Sequence, residues 1–259
     1  MSVLRAEGIE TRRHGAAILR GIDVAVEAAS VIAILGPSGA GKTSLFRVIV
    51  GEETPHAGRV LVDGIDVSTE PLWKRARRGV GYLPQGPSVL FDLTVRQNLE
   101  TFAAIVRGRL APRATTGALD VVALARRVEL ESRLAVRAGD LSGGERRKLE
   151  LARALSAEPR VLICDEPFSG VDPAGAERIA KLLRALADDH GVAVVLADHH
   201  VVESLAIADE VLLLLDGNIE MRGTPEAFSK HPLAQGRYLG HWRSGESVPP
   251  PRRSRPSGP

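Results

Sequence analysis

The chain has 259 residues, 44% hydrophobic and 25% charged, with a formal net charge of +2 at neutral pH. That length can bury an α/β core in one domain with room for an inserted subdomain, and the composition is ordinary for a globular protein. The longest apolar run, residues 192–197, is six residues, far below the roughly 20 that cross a bilayer; three arginines and one glutamate from Glu246 onward carry the whole net charge, which argues against a large nucleic-acid-binding face.

No amino-terminal signal peptide is visible, because Arg5 and Glu7 interrupt the start and no apolar stretch follows. Two short strands are expected around Val3-Leu4 and residues 22–26, joined by a polar turn containing Arg12, Arg13, His14 and Gly15. The uncharged run 31–35 then leads into Gly36-Pro37-Ser38-Gly39-Ala40-Gly41-Lys42-Thr43-Ser44 and the apolar-rich stretch 45–50. Strand, glycine loop and helix with G-x-x-x-x-G-K-T spacing are the pattern of a phosphate-binding loop. The glycines let successive N–H groups point at phosphate oxygens, and the helix opening at Lys42 adds its positive end. Lys42 would reach the terminal phosphates and the Thr43 hydroxyl would hold a magnesium ion. A plain glycine-rich turn would need these residues and both flanking elements to agree by accident. The stretch points to a bound nucleoside triphosphate.

Residues 54–58 read as a turn leading into the alternating edge strand 59–64. The cluster Lys74-Arg75-Ala76-Arg77-Arg78 reads as a solvated helix face, or as contact with a partner or lipid headgroups. Residues 79–85 form a strand stopped by Pro84, which lacks a ladder donor. From about 87 to 157 the pattern turns helical, notably over 95–106 and 117–127, as in an inserted helical subdomain. Strand periodicity returns at 160–165 and 192–197, with a helix from about 174 to 188 between them. Alternating strands and helices imply a parallel sheet covered on both faces. The hairpin 210–219, with its Asp216-Gly217 turn, closes that sheet. The single cysteine, Cys164, suits a reducing cytosol and reads as a small core residue. There is no internal repeat, and the Pro- and Arg-rich residues 248–259 are expected to be disordered.

Asp165-Glu166-Pro167 ends a buried strand, the usual address of catalytic carboxylates in an α/β sheet. Asp165 would hold the magnesium through water, and Glu166 would polarise the attacking water. Alone, such a pair could equally cap the next turn. Leu141-Ser142-Gly143-Gly144-Glu145 opens a helical stretch. Ser142 and Glu145 have capping-box spacing, while the two glycines bare amides at a helix's positive end and suggest a second anion site.

Together these residues resemble the nucleotide-binding subunit of an ABC transporter. The resemblance rests on residues 36–43, Gln85, Leu141 to Glu145, Asp165-Glu166, Ser169-Gly170-Val171-Asp172 and His199, and it covers about residues 1–240. It implies a P-loop NTPase (RecA-like) α/β core with a parallel sheet, an antiparallel β edge and an inserted α-helical subdomain. The ATPase domain would be 1–245, its core about 1–86 and 158–240, its helical subdomain about 87–157, followed by a disordered polar tail, 246–259. It further implies ATP and Mg2+ as cofactors, with the ion held by Thr43, Gln85 and Asp165. Two copies, or a copy and a paralogous ATPase, would form a head-to-tail dimer. Ser142, Gly143, Gly144 and Glu145 of each copy would meet the γ-phosphate held by the other's Lys42. Gln85 would touch the magnesium and water and link to integral membrane subunits, Asp172 would cross the dimer axis, and His199 would contact the γ-phosphate and orient Glu166. His200 has no motif position and reads as structural. The family's usual adenine-stacking aromatic is missing from the first turn, which offers only Arg13 and His14; His14 is the expected base contact.

Within the family, Lys74 to Gln85, Leu93-Thr94-Val95, Pro167 to Pro173, Ala197-Asp198-His199-His200-Val201 and Tyr238-Leu239-Gly240 resemble the ATPase of the lipopolysaccharide-export system. Branched-chain amino-acid importer ATPases share the basic approach to Gln85 and the Tyr-Leu-Gly ending but differ around 169–173 and 198–201. A soluble ABC ATPase of DNA repair or translation usually carries a long coiled coil or a second cassette, and neither is visible. The resemblance thus implies a peripheral ATPase at the cytoplasmic face of the inner membrane, with no nucleic-acid partner.

Overall fold

Two antiparallel 12-residue strands, β1 (Ser2–Arg13) and β2 (Ala16–Glu27), open the computed structural model, which describes residues 2–109 and 120–239, the side chains of 105–109 apart. Both strands outrun the short ones expected, because polar residues 10–13 continue the pairing until Arg13 faces Ala16. The expectations for residues 117–119 and for the 246–259 tail lie outside the described residues. β3 (Val31–Leu35) is buried throughout and runs through the glycine loop into α1 (Lys42–Val50). β4 (Ala57–Val62) and β5 (Ile65–Asp66) pair antiparallel, followed by α2 (Leu72–Arg77) and β6 (Val80–Leu83). Helices α3 (Val95–Arg109), α4 (Val121–Arg127) and α5 (Gly143–Leu155) come next, and no strand is named between β6 and residue 161 among the described residues. The chain then alternates β7 (Val161–Asp165), α6 (Pro173–His190), β8 (Ala193–Ala197) and α7 (Val201–Ile207). It ends with the hairpin β9 (Glu210–Leu215) and β10 (Asn218–Gly223), and then α8 (Pro225–Lys230). Asp216 and Gly217 turn that hairpin at φ 48° and 80°, the paired left-handed geometry of a tight β-turn.

The strands make two sheets. The six-stranded sheet has the order β10-β9-β3-β8-β7-β6, parallel from β9 to β6 with β10 antiparallel at its edge. The other sheet, β2-β1-β4-β5, is antiparallel. Strand alternation sorts the core into two layers. Val31, Ala33 and Leu35 pack with residues of α3, α5 and α6, whereas Ile32 and Ile34 pack with α1 and the antiparallel sheet. Helix α1 buries Leu45, Phe46, Val48, Ile49 and Val50, each worth roughly 1.5–3 kcal/mol. That is why the uncharged strand runs carry no polar face: both sides of the parallel sheet are covered.

The basic cluster divides rather than forming one solvated face. Arg75 is 1% exposed. Its guanidinium donates to the carbonyls of Val48 and Ile49 at the end of α1 and to those of Ser68 and Glu70, at 2.6–2.9 Å. A helix end leaves four carbonyls unsatisfied, and Arg75 closes two of them from outside the helix. Burial lowers its pKa to about 10, so it stays charged at neutral pH. Replacing Arg75 with Met strands these acceptors and should cost about 3 kcal/mol, lowering Tm by roughly 6–10 °C in a thermal melt. The rest of the cluster stays at the surface, with Lys74 and Arg77 flanking the half-exposed Trp73 ring at 5.5 and 4.8 Å.

Candidate active site

Four parallel strand ends face the same edge. β3 delivers the glycine loop, β8 delivers Asp198 and His199, β7 delivers Asp165 and Glu166, and β6 leads to Gln85. The carboxyl ends of parallel strands leave such a crevice wherever neighbouring connections diverge. A cleft of about 400 Å³ is lined there by Ser38, Gly39, Gly41, Lys42, Thr43, Ser44, Gln85 and Glu166 together with Arg13 and Ile18.

The loop geometry explains its glycines. A Cβ on Gly36 would lie 2.1 Å from the Leu214 carbonyl oxygen, so the loop passes closer to β9 than any side chain allows. Helix α1 starts at Lys42, preceded by Gly41, with no side-chain cap and no acidic residue in its first turn. Its amino-terminal N–H groups have no intrahelical partner, and this makes them an anion site. Lys42 Nζ bridges the carbonyls of Gly36 and Pro37 at 2.6 and 2.9 Å. Burial lowers the Lys42 pKa, opposed by the nearby carboxylates of Glu166, Asp165 and Asp198.

Asp165 is 1% exposed. The Thr43 hydroxyl donates to its Oδ1 at 3.5 Å, and its Oδ2 is buried with no partner. Burial raises its pKa against the Thr43 hydrogen bond, and Glu166 adds to the rise. A hydroxyl beside a buried carboxylate with an orphaned oxygen is an all-oxygen donor set, and it fits a hard divalent cation.

Glu166 adopts a left-handed backbone, φ 49°, and its N–H donates to the Ala197 carbonyl at 2.7 Å. That region is costly for a non-glycine residue, and the surroundings enforce it. Arg147, buried on α5, donates to the carbonyls of Asp165, Glu166, Pro167 and Pro84 and to Glu150, whose Oε1 accepts from the Ser88 N–H. The Glu166 side chain is 25% exposed and its Oε2 lies 4.0 Å from His199 Nδ1. Asp198, fully buried, accepts from the Phe168 and His200 N–H groups and contacts both histidine rings.

The second glycine pair lies elsewhere. Ser142, Gly143, Gly144 and Glu145 line a separate cleft of about 140 Å³ with Gly170, Val171 and Asp172. None of its lining residues lines the first cleft. The capping box forms in full: Ser142 Oγ accepts from the Glu145 N–H, and Glu145 Oε2 accepts from the Ser142 N–H. A Cβ on Gly143 would stand 2.5 Å from the Gly170 carbonyl oxygen, so Gly143 is needed for close approach whatever the helix end binds. Asp172 caps α6 through the Gly175 N–H at 2.5 Å.

The expected residues therefore fall into two groups. Gly36, Pro37, Ser38, Gly39, Ala40, Gly41, Lys42, Thr43, Ser44, Gln85, Asp165, Glu166 and His199 belong to one strand-end edge; Ser142 to Glu145 and Asp172 do not reach it. His14 departs from expectation. It sits at the exposed tip of the β1–β2 turn with φ 49° and does not line the cleft, because the long strands carry the tip past it and bring Arg13 and Ile18 there instead. Sequence reasoning also passed over Asp198 and Arg147. Asp198 stood in the Ala-Asp-His-His stretch; Arg147 gave only the i,i+3 pairing with Glu150 as a signal.

The ABC transporter family profile matches residues 19–169. The chain is 36% identical over 241 residues to the lipopolysaccharide export system ATP-binding protein LptB of Haemophilus influenzae, covering 93% of this chain and 98% of that one. It is 35% identical over 240 residues to the same-named protein of Escherichia coli K12, with the same coverage. Among solved structures, the ADP conformation of MJ1267, an ATP-binding cassette of an ABC transporter, superposes with a TM-score of 0.82 at 26% identity over 93% of this chain and 99% of that one.

Proposed function

The chain belongs to the ABC transporter family and is an ATP-binding subunit that hydrolyses ATP in coupling to transport; from that premise we propose that two copies close head to tail around ATP to power lipopolysaccharide export. The observation that carries the dimer is the separation of the two anion sites. The helix end bared by Gly143 and Gly144 opens on a cleft that shares no lining residue with the one holding Lys42. A second copy placed head to tail would turn its own helix end toward that Lys42.

In this reading Lys42 and the α1 amides hold the β- and γ-phosphates. Thr43, Asp165 and Gln85 would hold Mg2+, which would offset charge on the phosphate oxygens. Glu166 accepts a proton from the attacking water, and His199 orients it while facing the γ-phosphate. Ser142, Gly143, Gly144 and Glu145 complete the other copy's site, and Asp172 lies toward the dimer axis. Arg13, rather than His14, stacks on the base. Residues 1–86 and 158–240 form the core and 87–157 the helical subdomain.

Membrane subunits dock beside Gln85. Leu90 and Phe91 support this, being exposed large apolar side chains in the segment that Glu150 and Arg147 tie to Asp165 and Glu166. The link runs from the Ser88 N–H through Glu150 and Arg147 to the main-chain carbonyls of Asp165 and Glu166. The finer identity is supported by the 35–36% likeness to proteins named for lipopolysaccharide export, and in this reading the chain works at the cytoplasmic face of the inner membrane. No helix of the described residues is long and apolar enough to cross a membrane.

Capture from detergent-solubilised membranes should recover integral membrane subunits in fixed ratio. In liposomes that complex should release lipopolysaccharide only with ATP. Recovery of soluble partners alone would refute transport, and release of a branched-chain amino acid instead would refute the cargo.

A further inference from the structure

Beside the nucleotide cleft, where Thr43 and Asp165 offer a cation oxygen donors, the end of β8 offers imidazole nitrogen. Asp198 is fully buried, and its Oδ1 lies 3.5 Å from His199 Nδ1 and 2.8 Å from His200 Nδ1. The two imidazole rings stand 4.5 Å apart, tilted by 40°. One ligand atom from each of the three residues falls within 4.8 Å of the others. Glu166 comes in from the side, its Oε2 4.0 Å from His199 Nδ1. We propose that Asp198, His199 and His200 form a binding site for a borderline transition-metal ion, Zn2+, separate from the Mg2+ position at Thr43 and Asp165.

The donor set makes the choice. Two imidazoles and a carboxylate suit Zn2+, whereas Mg2+ demands oxygen and an octahedron. Tetrahedral ligation at about 2.0–2.1 Å sets ligand atoms roughly 3.3–3.5 Å apart. The Asp198–His199 pair already has that spacing. The His200 contact is now a hydrogen bond; the ion takes the place of its proton, and the pair opens by roughly half an ångström. Asp198 is braced from behind, since Oδ2 accepts from the Phe168 N–H at 2.8 Å and Oδ1 from the His200 N–H at 2.9 Å. Such outer contacts orient a ligating carboxylate. His199 is 64% and His200 30% exposed, so both rings are open to solvent, and the fourth position is left to water or Glu166. The charge favours a cation as well: Asp165, Glu166 and Asp198 all act on the single Lys42 ammonium.

Co2+ is the probe, because its visible absorption reports nitrogen ligation at low coordination number. The nucleotide-free full chain, titrated without Mg2+, should bind one Co2+ per chain with a saturable visible band and surrender it to Zn2+. His200→Asn retains a side chain able to hydrogen-bond Asp198, and should weaken Zn2+ binding about tenfold or more with an unchanged far-ultraviolet circular dichroism spectrum. His190→Asn, at the end of α6, should bind like the parent. No saturable band, or equal affinity in the parent and His200→Asn, overturns the site. The measurement needs neither ATP nor a partner, so it stands apart from the transport reading.

Discussion

Replacing Glu166 with glutamine should leave ATP bound while lowering turnover by about two to four orders of magnitude, the range a positioned general base contributes. The substitution keeps the side chain's size, and the constraints on residue 166 are backbone ones: its N–H reaches Ala197 and its carbonyl accepts from Arg147. Fold and left-handed backbone should therefore persist. What disappears is the carboxylate charge, 4.0 Å from His199 Nδ1, that the proposed base step requires. Lost hydrolysis with intact closure should trap an ATP-bound dimer, visible as a doubled mass in size-exclusion chromatography with light scattering. Turnover near that of the parent would remove Glu166 from the role of base. A variant that neither hydrolyses nor binds ATP would instead show that the carboxylate holds the loop.

Lys42→Ala acts one step earlier, and nucleotide affinity should fall about 100-fold, measurable by titration calorimetry. Charge-assisted hydrogen bonds to phosphate contribute roughly 1.5–3 kcal/mol each, and a loss of about 2.7 kcal/mol corresponds to two decades. Two further effects point the same way. The ammonium bridges the Gly36 and Pro37 carbonyls and so holds the loop curled. It is also a cation acting against Asp165, Glu166 and Asp198, whose repulsion of an incoming triphosphate would grow in its absence. Unchanged affinity would mean that the loop amides alone carry the phosphates. The two variants separate cleanly: one binds without turning over, the other fails to bind.

The nucleotide loop was legible because every part of it is local. Residues 31–50 spell strand, loop and helix within 20 positions, and phosphate binding there needs only backbone amides, a helix end and one lysine. The same holds for Asp165-Glu166 at a strand end and for the Asp216-Gly217 hairpin, whose two residues take the left-handed turn expected of them. Where a property depends on what lies across the fold, the sequence was silent or misleading. Arg75 looks like its basic neighbours, yet it is buried because the end of α1, 26 and 27 residues away, presents it with carbonyls. His14 is the ring that the first turn offers a base, but the length of β1 and β2 is set by pairing that polar residues 10–13 do not advertise, and Arg13 lines the cleft in its place. Arg147 and Asp198 act through carbonyls and amides of distant segments, contacts that no spacing encodes. The sequence by itself determined which chemistry the chain carries, since residue type and short-range geometry suffice for a triphosphate and its carboxylates. Tertiary structure alone decided how that chemistry is divided. It set the Gly143–Gly144 helix end in a cleft apart from Lys42, and it brought Glu166, at the end of β7, to 4.0 Å from His199, at the end of β8, because a sheet's strand order, not its sequence order, fixes which loops become neighbours.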